Sequence, residues 1–353
     1  MTVLQVCAYA APYEGNFIKS LKELGKALKK KNIKMIYAFP ESCREIKWCK
    51  DLEKQTSVYY LPLAKARIKP ATYKILKSIF SKHSDISVIH SHFELYDVPV
   101  SMTAPKNVKV FWHLHDAIQE YTATRYKIEH KLQYGVFYKN AVLLSVSEKH
   151  MEYAISKGFP RENTRFVANG LDTDRIKLVD NSSEKEFDFL MFGWEIERKG
   201  VDLCIEAVKK LDDSLKVGVV GIDKTREDLE ARYGKNDRVE VIAPVDDINE
   251  LYGKSRCFLH ISRAEGLSYA LLEAIYAGLP VVCSDISENA FAESFPTVAM
   301  IKNEDIDDIA KAMKKQLDYP VPNKEDIDAS RKIIKDAYSV SCWVKHIMAY
   351  YGV

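Results

Sequence analysis

Long apolar runs, cysteine pairs and internal repeats are all missing from these 353 residues. No stretch approaches the roughly 20 apolar residues that a transmembrane helix needs, and Met1-Thr-Val-Leu-Gln-Val opens a strand rather than a signal peptide. A cytoplasmic protein is expected. The seven cysteines, at 7, 43, 49, 204, 257, 283 and 342, include no C-x-x-C pair. An odd, dispersed set argues against a disulfide framework or a zinc site and fits reduced thiols. No self-similar period marks a solenoid. No aspartate pair of D-x-D type follows a strand, so neither a divalent metal nor any other cofactor is expected.

What the chain does contain is alternation. Short apolar runs and helical patterns follow one another almost throughout, the mark of an α/β protein with doubly wound parallel sheets. The length suits two domains. Strands are expected at Val3–Ala8, Lys34–Phe39, Val58–Leu61, Val88–His92, Val108–Leu114, Val142–Val146 and Phe166–Asn169. Helices are expected over Phe17–Lys31 and Ala71–Lys82. The segment Leu178-Val-Asp-Asn-Ser-Ser-Glu184 is polar and pattern-free and reads as an interdomain linker. The expected division is therefore 1–178, 186–336, and an apolar tail, 337–353, that returns to the first domain. Two such domains facing across a cleft bind ligands at the carboxyl ends of their strands.

The formal net charge of +2 hides an asymmetry. Residues 1–180 carry 29 Lys and Arg against 18 Asp and Glu, and the rest 23 against 32. A basic half suggests an anionic partner. No nucleic-acid motif accompanies it, so nucleic acid is not expected; the anionic inner face of a membrane is the other candidate. The segment Lys65–Lys82 mixes six cations with Tyr73, Ile75, Leu76 and Phe80. That mixture predicts peripheral membrane contact, with apolar anchoring by Tyr73, Ile75 or Phe80.

The most informative segment is Ala264-Glu-Gly-Leu-Ser-Tyr-Ala-Leu-Leu-Glu-Ala-Ile-Tyr-Ala-Gly-Leu-Pro-Val-Val282. Ser268 is a good N-cap, Tyr269, Leu272 and Ile275 have helical spacing, and Gly278 and Pro280 supply a stop. Gly266 allows close backbone approach. Carboxylates Glu265 and Glu273 flank the helix start. Open amides at a helix N-terminus attract phosphate, while carboxylates accept from sugar hydroxyls. A nucleotide-sugar pocket needs both.

The string E-G-x-S-x-x-x-x-E-A-x-x-x-G-x-P-V-V resembles the donor-site motif of retaining glycosyltransferases of family 4, which have the GT-B fold. Four further segments carry the resemblance in order: Trp112-His-Leu-His-Asp116, Leu144-Ser-Val-Ser-Glu148, Val167-Ala-Asn-Gly-Leu-Asp172 and Phe192-Gly-Trp-Glu-Ile-Glu-Arg-Lys-Gly-Val-Asp202. It implies two Rossmann-like domains and a hexosyl-transferring enzyme (EC 2.4). The implied donor is a nucleotide diphosphate sugar, UDP before GDP. The implied acceptor is a lipid-linked or oligosaccharide hydroxyl in bacterial polysaccharide synthesis.

Resemblance also assigns residues. Glu265 approaches the donor sugar, Glu273 accepts from the ribose, and Gly266, Leu267 and Ser268 present amides. Gly15 and Asn16 approach the diphosphate, His115, followed by Asp116, meets the sugar, and Asn169 belongs to the donor-binding set. Lys199 has a physical role, since a departing diphosphate needs cations. Where the family has arginine after the glycine, this chain has Trp194; Arg198 either supplies the guanidinium or points to solvent. Other readings stay open. His90, His92, His113 and His115 form two H-x-H pairs that could hold the metal of a hydrolase. A non-catalytic subunit of this fold, supported by Trp194, is another, and a sugar-nucleotide epimerase a third.

Overall fold

The structure, a computed structural model, describes residues 1–115, 124–318 and 322–353. They form two compact units: Met1–Gly170 with Val340–Val353, and Leu171–Ser339. Among the described residues, no helix is long and apolar enough to cross a membrane.

The first unit opens with β1 (Thr2–Cys7), α1 (Gly15–Lys30), β2 (Lys34–Pro40), α2 (Lys47–Glu53), β3 (Val58–Leu61) and α3 (Pro70–Lys82). It continues with β4 (Ile86–His92), α4 (Asp97–Thr103), β5 (Lys109–Leu114), α5 (Thr124–Gly135), β6 (Val142–Ser145), α6 (Glu148–Ser156) and β7 (Thr164–Phe166). The strands pair in parallel in the order β3-β2-β1-β4-β5-β6-β7.

Helix α1 buries Phe17, Leu21, Leu24 and Leu28, the stripe expected from their spacing. Lys29 and Lys30 fall in its last turn, where cations oppose the helix dipole. On α3, the expected anchors turn the other way. Leu76 is fully buried, and Ile75 and Phe80 pack against the core. The Tyr73 hydroxyl donates to the Arg67 carbonyl. The apolar residues of α3 therefore serve the core, and its lysines face solvent together with Ser78 and Ser81.

The second unit comprises β8 (Phe187–Phe192), α7 (Ile196–Lys199), α8 (Val201–Val208), β9 (Val217–Val220), α9 (Asp223–Tyr233), β10 (Val239–Ile242) and α10 (Asn249–Gly253). Then follow β11 (Ser255–His260), α11 (Tyr269–Tyr276), β12 (Val281–Ser284), β13 (Val298–Ile301), α12 (Ile306–Asp318) and α13 (Lys324–Ala337). Its parallel sheet runs β10-β9-β8-β11-β12-β13. The last helix, α14 (Val340–Tyr351), returns to the first unit, where Trp343, Ile347 and Tyr351 join the core on the α1 face.

The expected linker is not one. The Val179 amide donates to Ala277, the Lys177 amide to Asn249 Oδ1, and Lys185 Nζ to Gly253, so residues 171–185 are stitched onto the second unit. Their polarity reflects a tight turn, in which Asp180 Oδ1 accepts from the Ser182 amide and hydroxyl. The chain changes units at Gly170/Leu171 instead. The strand expected at Phe166–Asn169 ends at Phe166, which leaves Asn169 beyond the sheet.

Candidate active site

In each sheet the strand order reverses once, between β1 and β4 and between β8 and β11. Loops leaving those strands diverge and open a crevice above the sheet. Every residue assigned a role from the sequence lies on such a loop or near one.

In the second unit the loop after β8 runs from Gly193 through α7 to Gly200. Gly200 has φ 73°, and a Cβ there would sit 2.2 Å from the Ile261 carbonyl oxygen. Glycine alone lets this turn lie against the end of β11. That approach places Lys199 beside Glu265. Lys199 Nζ donates to Glu265 Oε1 at 2.6 Å, and both side chains are buried. Arg198 Nη1 reaches Glu265 Oε2 at 3.3 Å and the Ala264 carbonyl at 3.2 Å. A fork onto Glu195, at 2.8 and 2.7 Å, holds the same guanidinium. Arg198 therefore joins the cluster. Trp194 is exposed, with its ring 5.7 Å from Lys199 Nζ, and together with Arg198, Ile222, Lys224 and Arg232 it lines an open pocket.

The electrostatics follow from burial and pairing. Burial pushes the Glu265 carboxyl up, but His260, once protonated, and Lys199 outweigh it, and the group lies below the usual carboxylate range. Burial likewise pulls Lys199 below its ordinary value against the attraction of Glu265. His260 Nε2 lies 3.8 Å from Glu265 Oε1 and is pushed down by burial to about 4, so at neutral pH it is uncharged. Lys199 is then the buried counter-charge of Glu265.

Ser268 caps α11 by accepting from the Leu271 amide, so Gly266, Leu267 and Ser268 sit at the helix N-terminus. Glu273 lies one turn further along, buried, and accepts from Arg175 Nη2 and from the Tyr252 hydroxyl at 3.3 Å. Arg175, Tyr252 and His260 were missed at the sequence level. His260 could have been found, because it ends the strand that precedes the glutamate motif. Arg175 lies 98 residues from its partner, and no local pattern announces it.

In the first unit Gly15 and Asn16 open α1 beyond β1, Gly15 with φ 56°. His115 and Asn169 come together: His115 Nδ1 lies 2.8 Å from Asn169 Oδ1. On its other side His115 Nε2 meets His92 Nδ1 at 2.9 Å. His92 Nε2 meets Gln5 Oε1 at 2.8 Å, Gln5 Nε2 donates to the Tyr351 hydroxyl, and that hydroxyl meets His90 Nδ1 at 2.7 Å. Strand register explains the ladder, with Gln5 beside His90 and His92 beside His113 on one face. Three bonds span the two imidazoles between Gln5 and Asn169, but neutral imidazoles bring two protons. In the neutral ladder one terminal amide therefore turns its NH₂ toward histidine. Burial pulls His90, His92 and His113 well below the ordinary value and His115 to about 4. Asp116 lies outside the described residues.

Ring nitrogens of His90, His92 and His113 lie within 4.8 Å of one another. The three are fully buried, the group holds no carboxylate, and both nitrogens of His92 are engaged. A hydrolytic metal needs an open coordination position reached by substrate. The hydrolase reading is not favoured.

The model for Glycosyltransferase Family 4 matches residues 19–175, and that for Glycosyl transferases group 1 matches residues 172–339. The chain belongs to the family 4 GT-B glycosyltransferases. Lipopolysaccharide glucosyltransferase WaaG of Escherichia coli (strain K12) is 37% identical over 109 residues, 29% of either chain, so the match spans under a third of that relative. Capsular polysaccharide biosynthesis glycosyltransferase CapH of Staphylococcus aureus is 23% identical over 310 residues, 80% of this chain and 83% of CapH. The crystal structure of Anabaena HepE in complex with UDP has a similar fold, matching over all of both chains with TM-score 0.80 at 15% identity.

Proposed function

We propose that this family 4 member is a retaining glycosyltransferase that moves a sugar from a UDP-sugar, in preference to a GDP-sugar, to a hydroxyl of a lipid-linked or oligosaccharide acceptor. The observation that carries the reading is the buried Lys199–Glu265 pair, with Arg198 beside it, at the N-terminus of α11. Without donor, Glu265 holds the two cations in place. With donor, the diphosphate takes up the cations and the α11 amides, which frees Glu265 to accept from the sugar hydroxyls. Negative charge grows on the diphosphate as the sugar leaves, so the cations stabilise the transition state more than the ground state. Arg198 takes the part of the family arginine that Trp194 replaces. Glu273, oriented by Arg175 and Tyr252, accepts from the ribose. His115 and Asn169 contact the sugar, and no divalent metal takes part.

The names of the relatives, which concern lipopolysaccharide and capsular polysaccharide, support a place in bacterial cell-surface polysaccharide synthesis. The exposed lysines of the first unit support work at the cytoplasmic face of the membrane, where a lipid-linked acceptor would reside. Proton NMR of the product formed from α-linked UDP-sugars, with and without EDTA, tests the reading. An α-linked product with EDTA present is expected. A β-linked product would refute retention, and zinc-dependent hydrolysis without transfer would restore the hydrolase.

A further inference from the structure

Trp48, Trp112 and Trp343 are buried, whereas Trp194 is 47% exposed. Its support is rigid. A Cβ on Gly193 would stand 2.3 Å from Val219 Cγ1, so the backbone before the indole is pressed onto the sheet. The Phe192 ring braces the indole at 5.1 Å between centroids. The indole therefore projects from a fixed base, where the family has an arginine that could bind phosphate.

Trp194 forms one wall of an open cavity of about 400 Å³, within the range of small-ligand sites. Ile222, also exposed, forms a second apolar wall. Around them stand Arg198, Lys224 and Arg232 with Glu195, Glu197 and Asp228, three cations against three carboxylates. Arg198 pairs with Glu195 at 2.7 Å and Arg232 with Glu197 at 2.9 Å. A rim without net charge gives no preference to a free anion, and its formal charges disfavour a purely apolar guest. A neutral pyranose suits both parts. Its C–H face lies against an indole, while its hydroxyls donate to carboxylates and accept from guanidinium and ammonium groups.

Topology separates this cavity from the nucleoside. Strands β8, β9 and β10 step one way across the sheet, and β11 and β12 the other. Right-handed crossovers therefore put α7, α8 and α9 on one face and α10 and α11 on the opposite face. Glu273 and Tyr252, assigned to the ribose, belong to the α10–α11 face. The cavity lies on the α7–α9 side, with the Trp194 ring 5.7 Å from Lys199 Nζ.

We infer that this cavity is a saccharide subsite, in which a neutral pyranose of the acceptor stacks on Trp194 beside the donor diphosphate. Calling that sugar the acceptor's rests on the proposed transferase reading; binding of a saccharide on Trp194 does not. The replacement of arginine by tryptophan then exchanges a phosphate contact for a sugar contact, and Trp194 becomes a residue that selects the acceptor.

Saturation-transfer NMR with methyl α-glucoside, methyl α-galactoside, maltose and lactose tests this, with and without saturating UDP. At least one sugar should receive saturation from wild type, shield Trp194 fluorescence from acrylamide, and bind equally well when UDP is present. Trp194→Ala, and Trp194→Arg, which restores the family residue, should weaken that sugar roughly tenfold, while Trp194→Tyr keeps it. Trp194→Ala should retain wild-type affinity for UDP. No saturation of any of these sugars, or binding that Trp194→Ala preserves, would overturn the inference. So would displacement of the sugar by UDP, or loss of UDP binding in Trp194→Ala, either of which would give the cavity to the donor. Sugar binding is read without transfer, so its failure leaves UDP binding to stand on its own. Intact sugar binding with no binding of UDP or GDP would instead count against the transferase reading alone.

Discussion

The two units place polar side chains at equivalent points, the strand ends where sheet order reverses, yet use opposite chemistry. In the second unit the crevice holds formal charges, Lys199 and Arg198 against Glu265 and Arg175 against Glu273. In the first it holds a ladder of buried neutral histidines joined by amides and a tyrosine. Paired charges can be exchanged for those of a diphosphate, whereas a neutral ladder can hold hydroxyls without attracting free anions. Under the proposed function, charge stabilisation falls to the second unit and positioning to the first.

The contrast breaks most visibly at Lys199. Lys199→Ala should lower kcat by about 10²–10³-fold, the scale of losing one preorganised transition-state partner, with a smaller change in nucleotide affinity. Equal losses in kcat and affinity would make Lys199 a uniform binder. Glu273→Gln should weaken UDP binding by roughly tenfold or more, because a charged acceptor is lost and Arg175 loses the carboxylate it bonds.

The ladder answers to pH. Its histidines have folded values below the unfolded one, so the unfolded chain binds more protons as pH falls. Their stability contribution is complete above about 6.5 and is lost progressively toward the value near 4 of His115. Each histidine kept neutral should cost about 1.4 kcal/mol per pH unit over that window. Denaturant titrations at pH 7, 6 and 5 check this; stability that rises on acidification would mean the ladder holds a proton. Among the described residues both nitrogens of His113 lack a partner, so His113→Leu should be neutral or stabilising by about 1 kcal/mol. The smallest effect belongs to Ser268→Ala, about 1 kcal/mol of destabilisation from the lost cap of α11, read from the thermal midpoint.

How far the sequence reveals each unit follows from distance along the chain. Glu265 to Glu273 form one loop and one helix, so spacing, cap and stop could be read directly. Lys199 and Glu265 are 66 residues apart, and only the adjacency of β8 and β11 joins them. The H-x-H pairs were legible as one strand face, but their links to Gln5 and to Tyr351, 261 residues from His90, depend on sheet order and on where α14 returns. Residues 178–184 were misread because a turn bonded to its own unit has the same polarity as a linker. On α3 the mixture of cations and apolar residues was real, but composition does not say which side the core occupies.

The most direct test of the charged unit as donor site is calorimetric titration of UDP into the wild-type protein, Glu273→Gln and Lys199→Ala. One-to-one binding by wild type, marked weakening in Glu273→Gln and a milder change in Lys199→Ala are expected. Binding of UDP with the same affinity in all three proteins, or none by wild type for UDP or GDP, would contradict it.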